Sequence, residues 1–202
     1  MIVLVLIGIL MVTRRTLALA GVIPSSFNPS DGPAFDSSFS QHKAVTLIHI
    51  LPGLLFMILG PLQFMPHLRR NHIQFHRWNG RIFLIAAFVV GVSAICLPFV
   101  LSPIGGLTEA AGTIVFGTYF LLALIKGWTH IRRKNIVLHR RWMIRAFATG
   151  LAVSTIRPII ALFFALSDMR PEAFFGIAFW IGFGLHVAAA EWWILYTRKV
   201  SL

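Results

Sequence analysis

Charge is scarce in this chain. Only 12% of its 202 residues are charged, while 57% are apolar; a soluble domain carries about 25% charged residues. So few charges cannot furnish a water-facing surface around an ordinary core. An apolar exterior is tolerated where hydrocarbon replaces water, so the composition implies a protein of the bilayer. Acidic residues are scarcer still, six in all. The sequence also has no Gly-x-Ser-x-Gly, no His-Glu-x-x-His and no glycine-rich phosphate loop. Together these absences argue against hydrolytic and nucleotide-dependent chemistry. Cysteine is nearly absent. Cys96 stands alone, which excludes an internal disulfide, a Cys-x-x-Cys redox or zinc motif and a covalent haem attachment site.

What the chain has instead is long apolar runs and a basic excess of +12. The length fits one domain. The basic residues fall in short clusters between apolar runs, with no basic face or tail, which excludes a nucleic-acid partner. One cluster is Arg69, Arg70, Arg77 and Arg81. The other is Lys126, Arg132, Arg133, Lys134, Arg140, Arg141 and Arg145. Loops rich in Lys and Arg stay in the cytoplasm and meet anionic lipid headgroups there.

A spanning helix needs about 20 mostly apolar residues. Five runs qualify directly: 44–65, 78–101, 109–130, 142–166 and 174–196. A first helix over 2–23 is interrupted by Arg14 and Arg15, which are costly at mid-depth. They must face the interior or snorkel, or the helix is displaced, or its true start lies elsewhere. Residues 24–43 are rich in Ser, Pro, Asp and Gly and form an external loop. Alternation from that loop places the segments around 67–77, 131–141 and 198–199 inside, with 13 of the 18 basic residues in or beside them. Both termini are then cytoplasmic, in a bacterial inner membrane. Trp78, Trp128, Trp142, Trp192 and Trp193 mark the inner boundary. The expected fold is an all-α polytopic transmembrane bundle of about six helices in a single membrane domain.

Two stretches repeat. His67-Leu-Arg-Arg-Asn-His-Ile-Gln-Phe-His76-Arg77 matches His130-Ile-Arg-Arg-Lys-Asn-Ile-Val-Leu-His139-Arg140 at an offset of 63 residues. Helices two–three and four–five are thus expected to be related hairpins, which makes His76 and His139 equivalent. The runs Leu59-Gly-Pro-Leu-Gln-Phe64, His76-Arg-Trp-x-Gly-Arg81 and His139-Arg-Arg-Trp-Met-x-Arg145 carry a resemblance. Over roughly residues 44–160 the chain resembles a family of bacterial predicted membrane proteins with a domain of unknown function. That resemblance implies a polytopic membrane protein and no particular activity.

Polar and ionisable groups at membrane depth are costly and so mark candidate sites. Here they are His49, Gln63, His76, Glu109, His139, Arg145, Arg157, His186 and Glu191. Eighteen residues complete five helical turns, so His49 and His67, and His139 and Arg157, are each expected on one face about 27 Å apart. The sharpest expectation is haem b, with imidazoles from different helices as axial ligands in an electron-transfer protein. His76 and His139 form the inner pair. His49 and His186 form an outer one, with His186 nearer mid-depth. Gly182 and Gly184 leave room for a flat macrocycle, and Arg77, Arg140 or Arg145 hold its propionates. A quinone or redox protein would be the electron partner. The layout is loosely similar to cytochromes of the b561 type, without a matching local motif. Against haem, His76 and His139 satisfy free backbone groups at helix starts. His49 and His186 then merely bond a neighbouring helix. Arg157 snorkels, or meets a buried anion. Glu109 and Glu191 are expected at the interface. The alternatives are a small transporter, which at six spans would form a homo-oligomer, and a non-catalytic assembly or scaffold subunit.

Overall fold

The structure, a computed structural model, describes residues 1–23 and 39–199. Most of the loop expected over 24–43 lies outside the described residues, as does the tail beyond Lys199. Among the described residues there is no strand. The helices in chain order are α1 (Ile2–Leu19), α2 (Lys43–Phe64), α3 (Pro66–Asn71), α4 (Ile73–Val100), α5 (Gly106–Arg132), α6 (Ile136–Leu166) and α7 (Pro171–Lys199). All but α3 are long and apolar enough to cross a membrane, six in total among the described residues. The protein is an all-helical, polytopic membrane protein.

Local chemistry sets the helix ends. α1 stops four residues short of the expected 23. Gly21, at φ 73°, turns the chain in the left-handed region. Its N–H reaches the Ala18 carbonyl and that of Val22 reaches Leu17, each at 3.0 Å, the double bond of a Schellman cap. Arg14 and Arg15 therefore sit within about 8 Å of the helix end and not at its middle. The Arg15 guanidinium lies 4.3 Å from the centre of the Phe39 ring.

α2 ends at Phe64 because Met65 precedes Pro66. A residue before proline is pushed out of the helical region, and Met65 has ψ 116°. His67 consequently falls on α3. The shared face expected for His49 and His67 is therefore not present. α4 and α6 begin at Ile73 and Ile136, the same 63-residue offset as the repeated stretches. Helices also run further into the arginine-rich stretches than apolar length alone suggests. α4 starts before 78, α5 continues past 130 and α6 starts before 142. Arginine makes this possible, since its stem lies on apolar surface while its charge reaches the headgroups.

The chain forms two compact units, Met1–Ser102 and Pro103–Leu202. In the first, α2 and α4 pack as a hairpin and α1 lies on α2. Phe56 and Phe83 stack at 5.0 Å in its core, beside buried Met57, Ala86 and Ala87. In the second, α5, α6 and α7 all pack on one another. Small residues let these backbones approach, as membrane helices require. A Cβ on Gly176 would lie 2.6 Å from the Thr108 Cβ and 2.9 Å from the Glu109 nitrogen. The outer faces are apolar: Ile85 is 67% exposed and Leu185 56%.

Candidate functional site

In the first unit the histidines occupy two levels. His49 on α2 places Nδ1 2.9 Å from the Ser93 Oγ on α4. That hydroxyl donates its single proton to backbone, with Val89 O at 2.7 Å and Val90 O at 3.1 Å. Ser93 must then accept from His49, so the imidazole carries its proton on Nδ1 and its lone pair on Nε2. His76 is the fourth residue of α4. Its carbonyl accepts from Gln63 Nε2 at 3.3 Å, and Asn79 Nδ2 donates to the Leu59 carbonyl at 3.2 Å. These bonds tie α2 to α4 around His76. Gly80 gives Gln63 its space, since a Cβ there would lie 3.1 Å from Gln63 Oε1. Ser93 follows His76 by 17 residues, about 25 Å along the helix.

The second unit has two levels as well. His139 is the fourth residue of α6, and its Nδ1 is 2.8 Å from the Gly127 carbonyl on α5. A carbonyl only accepts, so Nδ1 donates and Nε2 again holds the lone pair. Capping of α6 falls to Asn135, whose Oδ1 accepts from the Leu138 N–H at 3.1 Å; His139 does not perform it. His186 on α7 places Nε2 2.7 Å from the Thr155 Oγ1 on α6, and its ring also bonds the Ala148 backbone. Thr155 follows His139 by 16 residues, about 24 Å. Neither unit therefore brings its own two histidines to one ligand.

Both candidate arginines face carboxylates. Arg145 Nε and Nη2 donate to the two oxygens of Glu191 at 2.5 and 2.7 Å, a bidentate pair between α6 and α7. Tyr119 on α5 hydrogen-bonds the same guanidinium, which also lies 4.6 Å from the centre of the Trp142 ring. Glu191 lies about 12 Å before the end of α7 and is 40% exposed. Arg157 lies within electrostatic reach of Glu109, whose Oε2 accepts from the Gly105 N–H at 2.7 Å. Gly182 does not open a slot for a macrocycle. Its space is filled by Ile156, whose Cγ1 would lie 2.5 Å from an added Cβ. Gly184 has no such neighbour within 4 Å. His67 and His72 are exposed.

The sequence reading missed Ser93, Thr155, Tyr119 and the Gly127 carbonyl. Ser93 and Thr155 stand 62 residues apart, one short of the repeat, which hides their similar depth on α4 and α6. Tryptophans meet cations where an aromatic belt was expected. Arg81 lies over Trp78 at 4.9 Å, Arg132 over Trp128 at 5.9 Å and Lys126 over Trp142 at 5.2 Å. Among the described residues, no three His, Cys, Asp or Glu side chains converge as a metal site.

No curated protein and no solved structure matches this chain. Residues 46–194 match the family described as Predicted membrane protein (DUF2306), beyond residue 160, where the resemblance was expected to end, and almost to the end of α7. With most of its length matched, and with six helices able to span a bilayer, the chain belongs to this family of membrane proteins of unknown function.

Proposed function

We propose that the chain is a b-type haem protein of the bacterial inner membrane. It would pass electrons across the bilayer, with both termini cytoplasmic and a quinone or redox protein as partner. The observation that supports this best is the fixed tautomer of His139. Its Nδ1 proton is committed to the Gly127 carbonyl, which directs the lone pair to Nε2. A ligating histidine is held in this way in most metal sites, by a bond from its other nitrogen. His49 is set identically by Ser93. His76 joins them through the sequence repeat and its matching place on α4.

Bound haem would supply a one-electron couple. The chain would supply the orientation of three imidazoles and the nearby charges of Arg77 and Arg140. His186 fits less well, because Thr155 and Ala148 already engage its ring. Arg145 holds the Glu191 carboxylate and Arg157 lies within electrostatic reach of Glu109, so both are better suited to steady helices than to bind propionates.

A reduced-minus-oxidised spectrum of the chain purified in mild detergent tests the reading. The expected result is a Soret shift with a sharp b-type α-band. A colourless product from haem-sufficient cells would remove it. His76→Ala and His139→Ala are expected to lose equal fractions of haem, and loss from one alone counts against a shared role. A small transporter is the second reading, supported by the polar groups lining α6. Thermal stabilisation by a solute, in a colourless protein, would favour it over a scaffold subunit.

A further inference from the structure

We infer that the second unit binds an anionic phospholipid from the leaflet that meets the arginine-rich bends, with the lipid phosphate on Lys126 where α5 crosses α6. Haem plays no part in this site. The repeat offset of 63 residues makes Lys126 the counterpart of Gln63 in the first unit, and Trp142 the counterpart of Asn79. There the two amides close the hairpin: Gln63 donates to the His76 carbonyl and Asn79 to that of Leu59. In the second unit the same two places hold an ammonium and an indole, and these meet each other. Lys126 Nζ lies 5.2 Å from the centre of the Trp142 ring. One hairpin thus engages both side chains with its own backbone, while the other presents a cation.

That cation has no carboxylate of its own. No acidic residue lies between Glu109 and Asp168 in the sequence. From α7, Glu191 approaches, but Arg145 occupies both of its oxygens. Among the described residues Lys126 makes no ion pair. The Arg145 guanidinium lies 4.6 Å from the centre of the same indole ring, so Trp142 carries two cations against a single counter-charge. Lys126 also stands six residues before the end of α5 at Arg132, about 9 Å deeper than the bend. A charge left at that depth is costly, and a long stem relieves the cost only by carrying it to water or to an anion.

The surrounding apolar surface selects a lipid as that anion. Leu122, one turn before Lys126 on the same face of α5, is exposed, and so is Ile125. They form a bed on which an acyl chain can run from Lys126 into hydrocarbon. A free phosphate would leave this bed unused. A zwitterionic lipid would bring its own ammonium group against Lys126. An anionic phospholipid meets both the charge and the apolar surface, as in other basic pockets between membrane helices.

The test gives the full-length chain in detergent equal amounts of phosphatidylglycerol and phosphatidylcholine with matched acyl chains. Native mass spectrometry then counts each lipid on the intact protein. The first bound lipid is expected to favour phosphatidylglycerol by at least about fivefold. Lys126→Gln, which copies the first unit, is expected to lower that preference about fivefold, the share that one lysine near an anionic headgroup supplies. Lys126→Arg is expected to keep it. Arg133→Gln removes the same charge from the bend and is expected to leave the preference unchanged. Lys126→Met replaces the glutamine variant if that one loses helix content. A wild-type protein without preference would overturn the inference, and so would an undiminished preference in the folded Lys126 variant. Equal losses in Lys126→Gln and Arg133→Gln would also overturn it, since they mean general attraction to basic bends without a site. Displacement of the bound lipid by inorganic phosphate would do the same, by making the ligand a free anion.

Discussion

The two units answer one sequence pattern with different chemistry. Both contain a helical hairpin whose bend carries His, two Arg, Ile and His-Arg at matching positions. In the first unit Pro66 breaks the chain, α3 intervenes, and His72 caps α4 without a side-chain bond. In the second, α5 runs on to Arg132. Lys134 then turns the chain at φ 60°, and Asn135 caps α6 through its side chain. Their interiors differ too. No acidic residue lies between Asp36 and Glu109, so α2 and α4 can be tied only by neutral groups. They use His49–Ser93, Gln63–His76 and Asn79–Leu59. The second unit adds an ion pair. The repeat thus fixes where the helices turn, while a few unmatched residues decide how each hairpin is held.

The ion pair is the sharpest difference and gives the largest expected effect. Glu191→Ala strands the Arg145 guanidinium among helices. Breaking a buried pair costs several kcal/mol; with Glu191 40% exposed the expected loss is roughly 2–4 kcal/mol. Denaturant titration in detergent measures it. Arg145→Met with Glu191→Leu should regain most of the loss, because the desolvation cost goes with the charges. A double variant no better than the single would show that charge was not the issue.

Gly176→Ala attacks the second unit by shape alone. The new methyl meets the Thr108 side chain and the Glu109 backbone, and backbone cannot step aside. Overpacking of this kind costs about 1–3 kcal/mol. Gly53→Ala in α2 is the matched control, since its nearest neighbour is a Val90 methyl at 4.0 Å. An equal response at the two sites would contradict the close approach of α5 and α7.

Much of this architecture was legible in the sequence, and the reasons are physical. Apolar runs announce spanning helices because hydrocarbon leaves no other place for their backbone groups. The arginine bends announced themselves by charge. Helix ends were less legible. Basic residues read as loop, yet Arg77 and Arg140 lie inside α4 and α6, because long stems let helices carry charge to the headgroups. The α1 end depended on Gly21, which the apolar count ignored. Candidate residues were legible by their cost in lipid; their partners were not. Ser93 is 44 residues from His49, and Thr155 is 31 from His186. Such pairs are set by the rotation and register of packed helices, which one sequence does not reveal. Arg145 and Glu191 were both recognisable as unusual, but not as each other's partner.

The bends offer a smaller and opposite effect. Lys134 holds a left-handed conformation that favours glycine, and its N–H bonds Ile131 while that of Asn135 bonds His130. Lys134→Gly should stabilise the protein by about 0.5–1 kcal/mol, since relief of backbone strain exceeds the added freedom of the unfolded chain. Arg133→Gly, at φ −85°, has no strain to relieve and should not stabilise. A rise in melting temperature confined to the first variant is the expected pattern.

The smallest effect compares the two hydroxyls at similar depth. Ser93→Ala removes the acceptor of the His49 Nδ1 proton, and Thr155→Val removes the partner of His186. Hydrogen bonds between membrane helices average about 0.6 kcal/mol, so each should cost about that much. The two should part on a second readout. Ser93 is the side-chain partner of His49 and accepts its Nδ1 proton. His186 keeps its contact with the Ala148 backbone when Thr155 is lost. Nitrogen-15 spectra of the imidazoles should therefore show mixed tautomers at His49 in Ser93→Ala, and a single tautomer at His186 in Thr155→Val. A His49 that stayed on one tautomer without Ser93 would mean that the Val90 carbonyl, also within bonding range, sets the ring. Its lone pair would still point from Nε2, but the serine would have no part in placing it.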